Sequence, residues 1–201
     1  MFDHVLTNPG RLVRPAITLL ASRFHPSHGG DAETMGSAVE SLHVASLVHD
    51  DTVDHSETRR GRATVSAEWG SDMALFFGDS LMAIAANIVC DIGNIRVIRR
   101  FTTLVMDLST SELNERTEAY NWQKTREQYL QCTCGKTASL FSTAAEAGAI
   151  LSGASDTAIK ALGDYGRNLG LAFQIMDDIM DFDGTEKEVG GPPAATSFTA
   201  S

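Results

Sequence analysis

Leu47-Val48-His49-Asp50-Asp51-Thr52-Val53-Asp54 and Gln174-Ile175-Met176-Asp177-Asp178-Ile179-Met180-Asp181 share the spacing Asp-Asp-x-x-Asp, and each emerges from an apolar run that reads as a helix. At about 3.6 residues per turn, positions i and i+4 lie roughly 40° apart, so Asp50 stacks on Asp54 and Asp177 on Asp181. Like charges so placed destabilise a helix by about 0.2–0.5 kcal/mol per pair. Apolar neighbours imply partial burial, where an unpaired carboxylate costs far more. A cation is therefore expected at each motif. Clustered carboxylates offer only hard oxygen donors, which suits Mg²⁺, an ion that usually bridges a few carboxylates to substrate phosphates. One such motif alone reads equally well as a solvated acidic helix end. Two copies of one unusual spacing, each on an apolar helix, favour metal binding.

Outward from the first motif, a helix is expected from about Ala32 to Asp54. On it His43, Leu47, Asp50 and Asp54 fall at steps of four, three and four, which places them on one narrow stripe. Ala45 and Ser46, about a turn before Asp50, are small, so the tail of a ligand held at the carboxylates meets nothing bulky there. Glu57-Thr58-Arg59-Arg60-Gly61-Arg62 follows as a polar loop. Its arginines are either ion-paired surface or anion holders, since guanidinium forks match phosphate oxygens bidentately. Toward the N-terminus, Asn8-Pro9-Gly10 is a turn signal. A helix then runs from near Arg11 to about Phe24, with Pro15 tolerable only in its first turn. Arg11 and Arg14, three apart, share a face of that helix. His25 and His28 lie in a loop by composition and are expected to be exposed and idle.

Residues 71–92 are apolar on nearly every side and are expected to form a central helix, with Phe76 and Phe77 in the core. A helix over 95–115 gathers its polar positions toward Ser109–Glu115, and Glu118 to Arg126 reads as a connection. A helix from Glu127 to Ile150 is interrupted by Gly135-Lys136-Thr137. A lysine in that apolar setting needs a partner, and an anionic ligand is one candidate. The last helix runs from about Asp156 to Phe182, with Gln174, Asp177, Asp178 and Asp181 on one side.

The scarcity of β-branched alternation across these runs makes the expected class all-α. The formal net charge of −10 argues against general nucleic-acid binding, which needs basic surface. No run of 18 apolar residues is free of charge, so no spanning helix is expected. The start, Met-Phe-Asp-His-Val-Leu, lacks a signal-peptide layout, which makes the cytoplasm the expected compartment. Cys90, Cys132 and Cys134 have no ligand-like spacing and read as buried thiols without chemistry.

Taken together, these motifs resemble the trans-isoprenyl diphosphate synthases, or polyprenyl synthetases, from about Gly10 to Val189. The family's Gly-Lys-Arg-x-Arg-Pro segment stands here as Gly10-Arg11-Leu12-Val13-Arg14-Pro15, and its His ahead of the first acidic motif as His43. Asp50-Asp51-Thr52-Val53-Asp54, Arg59-Arg60-Gly61, Gly78-Asp79, Lys136-Thr137 and Phe173-Gln174-Ile175-Met176-Asp177-Asp178 match as well. The resemblance implies an isoprenoid synthase-type helical bundle around a central cavity. Two Asp-rich helices would hold two or three Mg²⁺ ions, or Mn²⁺, against an allylic diphosphate, with Asp50, Asp54, Asp177 and Asp181 as ligands. Asp50, Asp51, Asp54, Arg59, Lys136, Asp177 and Asp178 would carry the catalysis. Arg59, Lys136, Thr137 and Gln174 would hold the allylic diphosphate; Arg11, Arg14, His43 and Arg60 would hold isopentenyl diphosphate. Small Ala45 and Ser46 imply a long, polyprenyl-type product. A homodimer or a heteromeric synthase is the implied assembly. A terpene cyclase shares the first motif, but Asp177-Asp178-x-x-Asp181 is of the elongating kind.

The chain also departs from that pattern. Arg11 replaces the family's Lys, and Leu12 its next Arg. Gly190-Gly191-Pro192 lacks the Lys of the family's Gly-Lys-Pro. Family members continue through further helices, whereas residues 185–201 read as a Gly/Pro/Ala-rich tail after a single domain over 1–184. The expected fold is thus the bundle with its C-terminal helices missing. A diphosphate-binding but catalytically incompetent fragment or subunit, paired with a full-length synthase, is the competing reading.

Overall fold

The computed structural model describes residues 1–7, 10–25, 30–117, 123 and 125–183, with side chains of the last helix described as far as Met180. The turn at Asn8-Pro9, the loop from Pro26 to Gly29, most of the 118–126 connection and the tail over 185–201 lie outside the described residues.

The described chain is a bundle of helices: α1 (Phe2–Leu6), α2 (Val13–Ser22), α3 (Asp31–Val53), α4 (Val65–Trp69), α5 (Ser71–Ile92), α6 (Ile95–Thr117), α7 (Arg126–Thr133), α8 (Ser139–Leu151) and α9 (Asp156–Asp183). α7 and α8 are joined without a break by a π-helical turn, Cys134–Ala138. Pro15 sits third in α2, where its missing N–H is one the helix start leaves unpaired anyway. Thr125 and Gln128 form a capping box that starts α7 and fixes the direction of the segment carrying Lys136.

α3 and α8 are the inner helices. Met35, Val39 and Leu42 of α3 pack with Leu140, Phe141 and Ala144 of α8, and with Val89, Val97, Phe101 and Leu104 from α5 and α6. A second apolar cluster joins Ala45 and Val48 of α3 to Val65, Ala74, Phe77 and Leu81. α9 lies close along α8, and a Cβ at Gly166 would stand 2.5 Å from the Phe141 carbonyl oxygen.

Two expectations are corrected here. α5 is not central: it packs one face on α3 and leaves Met73, Leu75 and Ile84 exposed, with Phe76 at 68 % exposure, while Phe77 alone of the Phe pair is buried. An all-round apolar helix marks burial, but the burying partner need not belong to the same chain. By length and composition alone α5 would also suffice to cross a membrane, although it carries Asp72, Asp79 and Asp91 and packs along α3. Finally, Cys90 is exposed and Cys132 and Cys134 are only partly buried.

The polar loop after the first motif is a β-hairpin, β1 (Thr58–Arg59) with β2 (Arg62–Ala63), paired Thr58 to Ala63 and Arg59 to Arg62. Its turn places Arg60 at φ 51° and Gly61 at φ 74°, the double positive φ of a type I′ turn. For arginine that conformation is strained. It turns two adjacent guanidinium groups to different tasks.

Candidate active site

Three carboxylates at the C-terminal end of α3 stand at the negative end of the helix dipole, so each needs a cation. Each has one. The Arg59 fork grips Asp51, its Nε donating to both carboxylate oxygens at 2.8 Å and Nη2 lying 2.7 Å from Oδ1. Arg116 Nη2 donates to Asp54 Oδ1 at 2.6 Å. Lys136 Nζ lies 3.9 Å from Asp50 Oδ2, 3.2 Å from Glu112 and 3.1 Å from Glu115. Asp51 is 6 % exposed.

These surroundings set the protonation states. Burial pushes the Asp50 carboxyl up to about 6; Lys136 opposes the rise, and Glu112 and Asp54 add to it. Burial also works against the Lys136 ammonium, but Asp50, Glu115 and Glu112 together outweigh it and raise its pKa. The ammonium therefore stays charged.

The π turn ties the first acidic motif to the second. Lys136 faces Asp50, while its neighbour Thr137 donates its hydroxyl to Gln174 Oε1 on α9 at 2.6 Å. Gln174 Nε2 in turn donates to Asp178 Oδ1 at 2.8 Å, and the Tyr129 hydroxyl of α7 donates to Asp178 Oδ2. Both Asp178 oxygens are thus engaged by protein donors. Asp177 is half-buried and close enough to Arg14 to favour that guanidinium's charge. Asp181 continues α9, and its side chain lies outside the described ones.

A second subsite is a cavity of about 220 Å³ lined by Arg11, Arg14, His43 and Arg60, with Glu40, Phe141 and Phe173. Gly10, at φ +71°, closes one wall: a Cβ there would stand 2.4 Å from Arg60 Nη1. The Arg14 guanidinium lies 5.0 Å from the Phe141 ring centroid, and burial lowers its pKa to about 10. Arg14 Nε and Glu40 Oε2 are buried without a hydrogen-bond partner among the described residues. His43 is held neutral, pushed down to about 3 by burial and then by Arg14, Arg60 and Arg59. Fixed positive charge and an unsatisfied donor are what an anion can satisfy.

Ala45 is fully buried and belongs to the cluster shared with α4 and α5, whereas Ser46 is half-buried, its hydroxyl donating to the His43 carbonyl at 2.8 Å. The Gly78-Asp79 pair also acquires a reason. A Cβ at Gly78 would stand 2.3 Å from His49 Nε2, which lies 3.3 Å from Asp79 Oδ1. Residues that motif reading missed are Glu40, Glu112, Glu115, Arg116 and Tyr129. The polar end of α6 was the available signal for three of them.

The fold and this arrangement of paired acids and clustered cations define a class of helical bundle proteins with two facing polar motifs. The chain belongs to the polyprenyl synthetase family, whose model matches residues 1–195. It is 34 % identical over 189 residues to heptaprenyl diphosphate synthase component 2 of Geobacillus stearothermophilus, covering 94 % of this chain and 59 % of that protein. The decaprenyl diphosphate synthase of Rhodobacter capsulatus superposes with a TM-score of 0.88 at 38 % identity, over 90 % of this chain and 56 % of that one. The polyprenyl synthase of Caulobacter crescentus, crystallised with calcium and isoprenyl diphosphate, gives 0.91 at 31 %, over 95 % and 58 %. The chain thus spans about three-fifths of the length of the relatives it matches.

Proposed function

We propose that this chain is a Mg²⁺-dependent trans-prenyltransferase that condenses isopentenyl diphosphate with an allylic diphosphate to a longer, polyprenyl-type product. The observation that carries the reading is the π turn, whose Lys136 meets the first acidic motif and whose Thr137 meets the second.

Asp50, Asp54, Asp177 and Asp181 would hold the divalent ions. Among the described residues no three such ligands are gathered closely enough to hold an ion; what supports the reading is Asp50, a half-buried hard-oxygen donor whose ionised form needs more positive charge than Lys136 supplies. When bound, Mg²⁺ or Mn²⁺ supplies Lewis-acid neutralisation of a departing diphosphate. Around it, Lys136 and Arg59 offer fixed donors to the same developing charge, and Thr137 and Gln174 orient the group. Such preorganised charge is most effective where water is excluded. Arg11, Arg14 and Arg60 would bind isopentenyl diphosphate, with neutral His43 as an uncharged partner. Ser46, half-buried about one turn before Asp50, would be a position where added bulk limits the growing chain.

The cytoplasm is the proposed compartment, since α5 packs along α3 and its Asp79 engages His49, as in a bundle helix. A homodimer or a heteromeric synthase is the proposed assembly; exposed Met73, Leu75 and Phe76 support an interface on α5. A second reading, a non-catalytic subunit that binds diphosphates, draws support from Ile175, Met176 and Ile179 of α9, which are 37 %, 57 % and 52 % exposed. Prenyl transfer measured by mass spectrometry with isopentenyl diphosphate and an allylic primer, with and without Mg²⁺, decides between them. Product formed only with the metal supports the enzyme; diphosphate binding without product supports the subunit.

A further inference from the structure

Gly135 is the second residue of the π turn, one before Lys136, where it faces α6. A Cβ built on Gly135 would stand 1.6 Å from Ser111 Oγ, 2.8 Å from Ser111 Cβ and 3.5 Å from the Asp107 carbonyl oxygen. Ser111 is buried, and rotating its hydroxyl away leaves the 2.8 Å approach of its Cβ in place. Gly135 is therefore held by close approach; helix preference would favour alanine. On α6 Glu112 follows Ser111 directly and Glu115 stands one turn further along, and both carboxylates grip Lys136. The contact and the grip lie on adjacent residues of the same two elements.

We propose that Gly135 is a positioning residue: its bare Cα lets the π turn close on Ser111, and that approach sets where the Lys136 ammonium stands among Asp50, Glu112 and Glu115. π-Helical turns recur at functional sites because they redirect one side chain out of the regular helical sequence. Here the redirected side chain is Lys136, and the consequence for function rests on reading it as a diphosphate ligand. Restoring an ordinary contact of about 3.4 Å would move the turn by about 0.6 Å. Displacements near 1 Å can cost a site about a hundredfold, so about tenfold is expected.

The test has two readouts on Gly135→Ala, Ser111→Gly, Ser111→Ala and the doubles Ser111→Ala/Gly135→Ala and Ser111→Gly/Gly135→Ala. The first is the rate of Lys136 acetylation by an N-hydroxysuccinimide ester, followed by mass spectrometry, with exposed Lys160 as the internal reference. It needs no ligand and no turnover. Lys136 should react at least threefold faster in Gly135→Ala, at an intermediate rate with Ser111→Ala added, and at the wild-type rate with Ser111→Gly added, while Lys160 stays constant. If Gly135→Ala fails to fold, Ser111→Val presses on the same contact from α6 and should speed Lys136 in the same way. An unchanged Lys136 rate in Gly135→Ala, or no recovery with Ser111→Gly, overturns the proposal. The second readout is calorimetric affinity for inorganic pyrophosphate with Mg²⁺, expected to fall about tenfold and recover in the same order. Pyrophosphate binding that ignores both substitutions, with the acetylation order intact, would overturn the diphosphate reading of Lys136 and leave its positioning by Gly135 standing.

Discussion

Replacing Asp50 by Asn should stabilise the protein while removing its affinity for metal and diphosphate. The carboxyl is 19 % exposed and its pKa rises from 3.8 to about 6, chiefly because burial penalises the charge. A rise of about two units corresponds to ~3 kcal/mol at about 1.36 kcal/mol per unit. The sign follows from linkage: an acid harder to ionise folded than unfolded costs stability above its folded pKa, and that cost fades as pH falls toward the unfolded value. The neutral amide of the Asp50→Asn variant escapes that cost, less the smaller penalty of seating a buried polar group. A gain of about 1–3 kcal/mol at pH 7.5 is expected, a rise in Tm of roughly 3–8 °C for a chain of this size. At pH 4.5 the charge cost is down to about a third, so the difference should fall by about 2 kcal/mol. Urea denaturation of both proteins at the two pH values, without metal, measures it. Adding Mg²⁺ and pyrophosphate should then reverse the order, since wild type gains about 2.7 kcal/mol at a hundredfold excess over Kd and the variant gains little. A variant less stable than wild type at pH 7.5, or a difference indifferent to pH, would refute the reasoning.

Three further outcomes follow from the same geometry. Asp51→Asn should cost about 1–3 kcal/mol, because it breaks a buried fork whose Arg59 side is 41 % exposed and therefore partly screened; urea denaturation reads it, and a neutral result would mean that the hairpin holds without Asp51. His43→Gln should become more stable relative to wild type as pH falls from 8 to 5, by about 2 kcal/mol, since wild type must keep His43 neutral down to about pH 3 while the unfolded chain protonates it near 6.5; parallel pH–stability curves would exclude this. Ser46→Phe should shorten the prenyl product seen by mass spectrometry, whereas Ala45→Phe, at a fully buried position, should lower Tm first through overpacking of about 1–3 kcal/mol; an unchanged product profile in Ser46→Phe would remove it as a length determinant.

The helices were legible because their signals are local. Pro15 in a first turn, the apolar periodicity of 71–92 and the twin acidic spacings each depend on near neighbours in the chain. What α5 packs against was not legible, since Phe76 and Phe77 are chemically identical and only the assembled bundle distinguishes the exposed one from the buried one. The Arg59-Arg60-Gly61 hairpin escaped for a related reason: arginine is a poor signal for positive φ, and the strain is sustained by contacts with Asp51 and Gly10, distant in sequence. In the candidate site, the acids, Lys136 and the arginines that line the cavity could be named from motifs. Their counter-charges could not. Glu112, Glu115 and Arg116 form an ordinary charged helix end until α6 is laid beside the π turn.

The two acidic motifs are built on one internal plan. In each, the middle carboxylate is occupied by the protein itself: Asp51 by the Arg59 fork, Asp178 by Tyr129 and Gln174. Those two act as feet that brace the helix ends against the hairpin and α7. The outer members of the first motif, one helical turn apart, are the more exposed, Asp50 at 19 % facing Lys136 and Asp54 at 50 % facing Arg116. Alanine substitution should therefore loosen the protein more at the middle position, Asp51, than at Asp50 or Asp54.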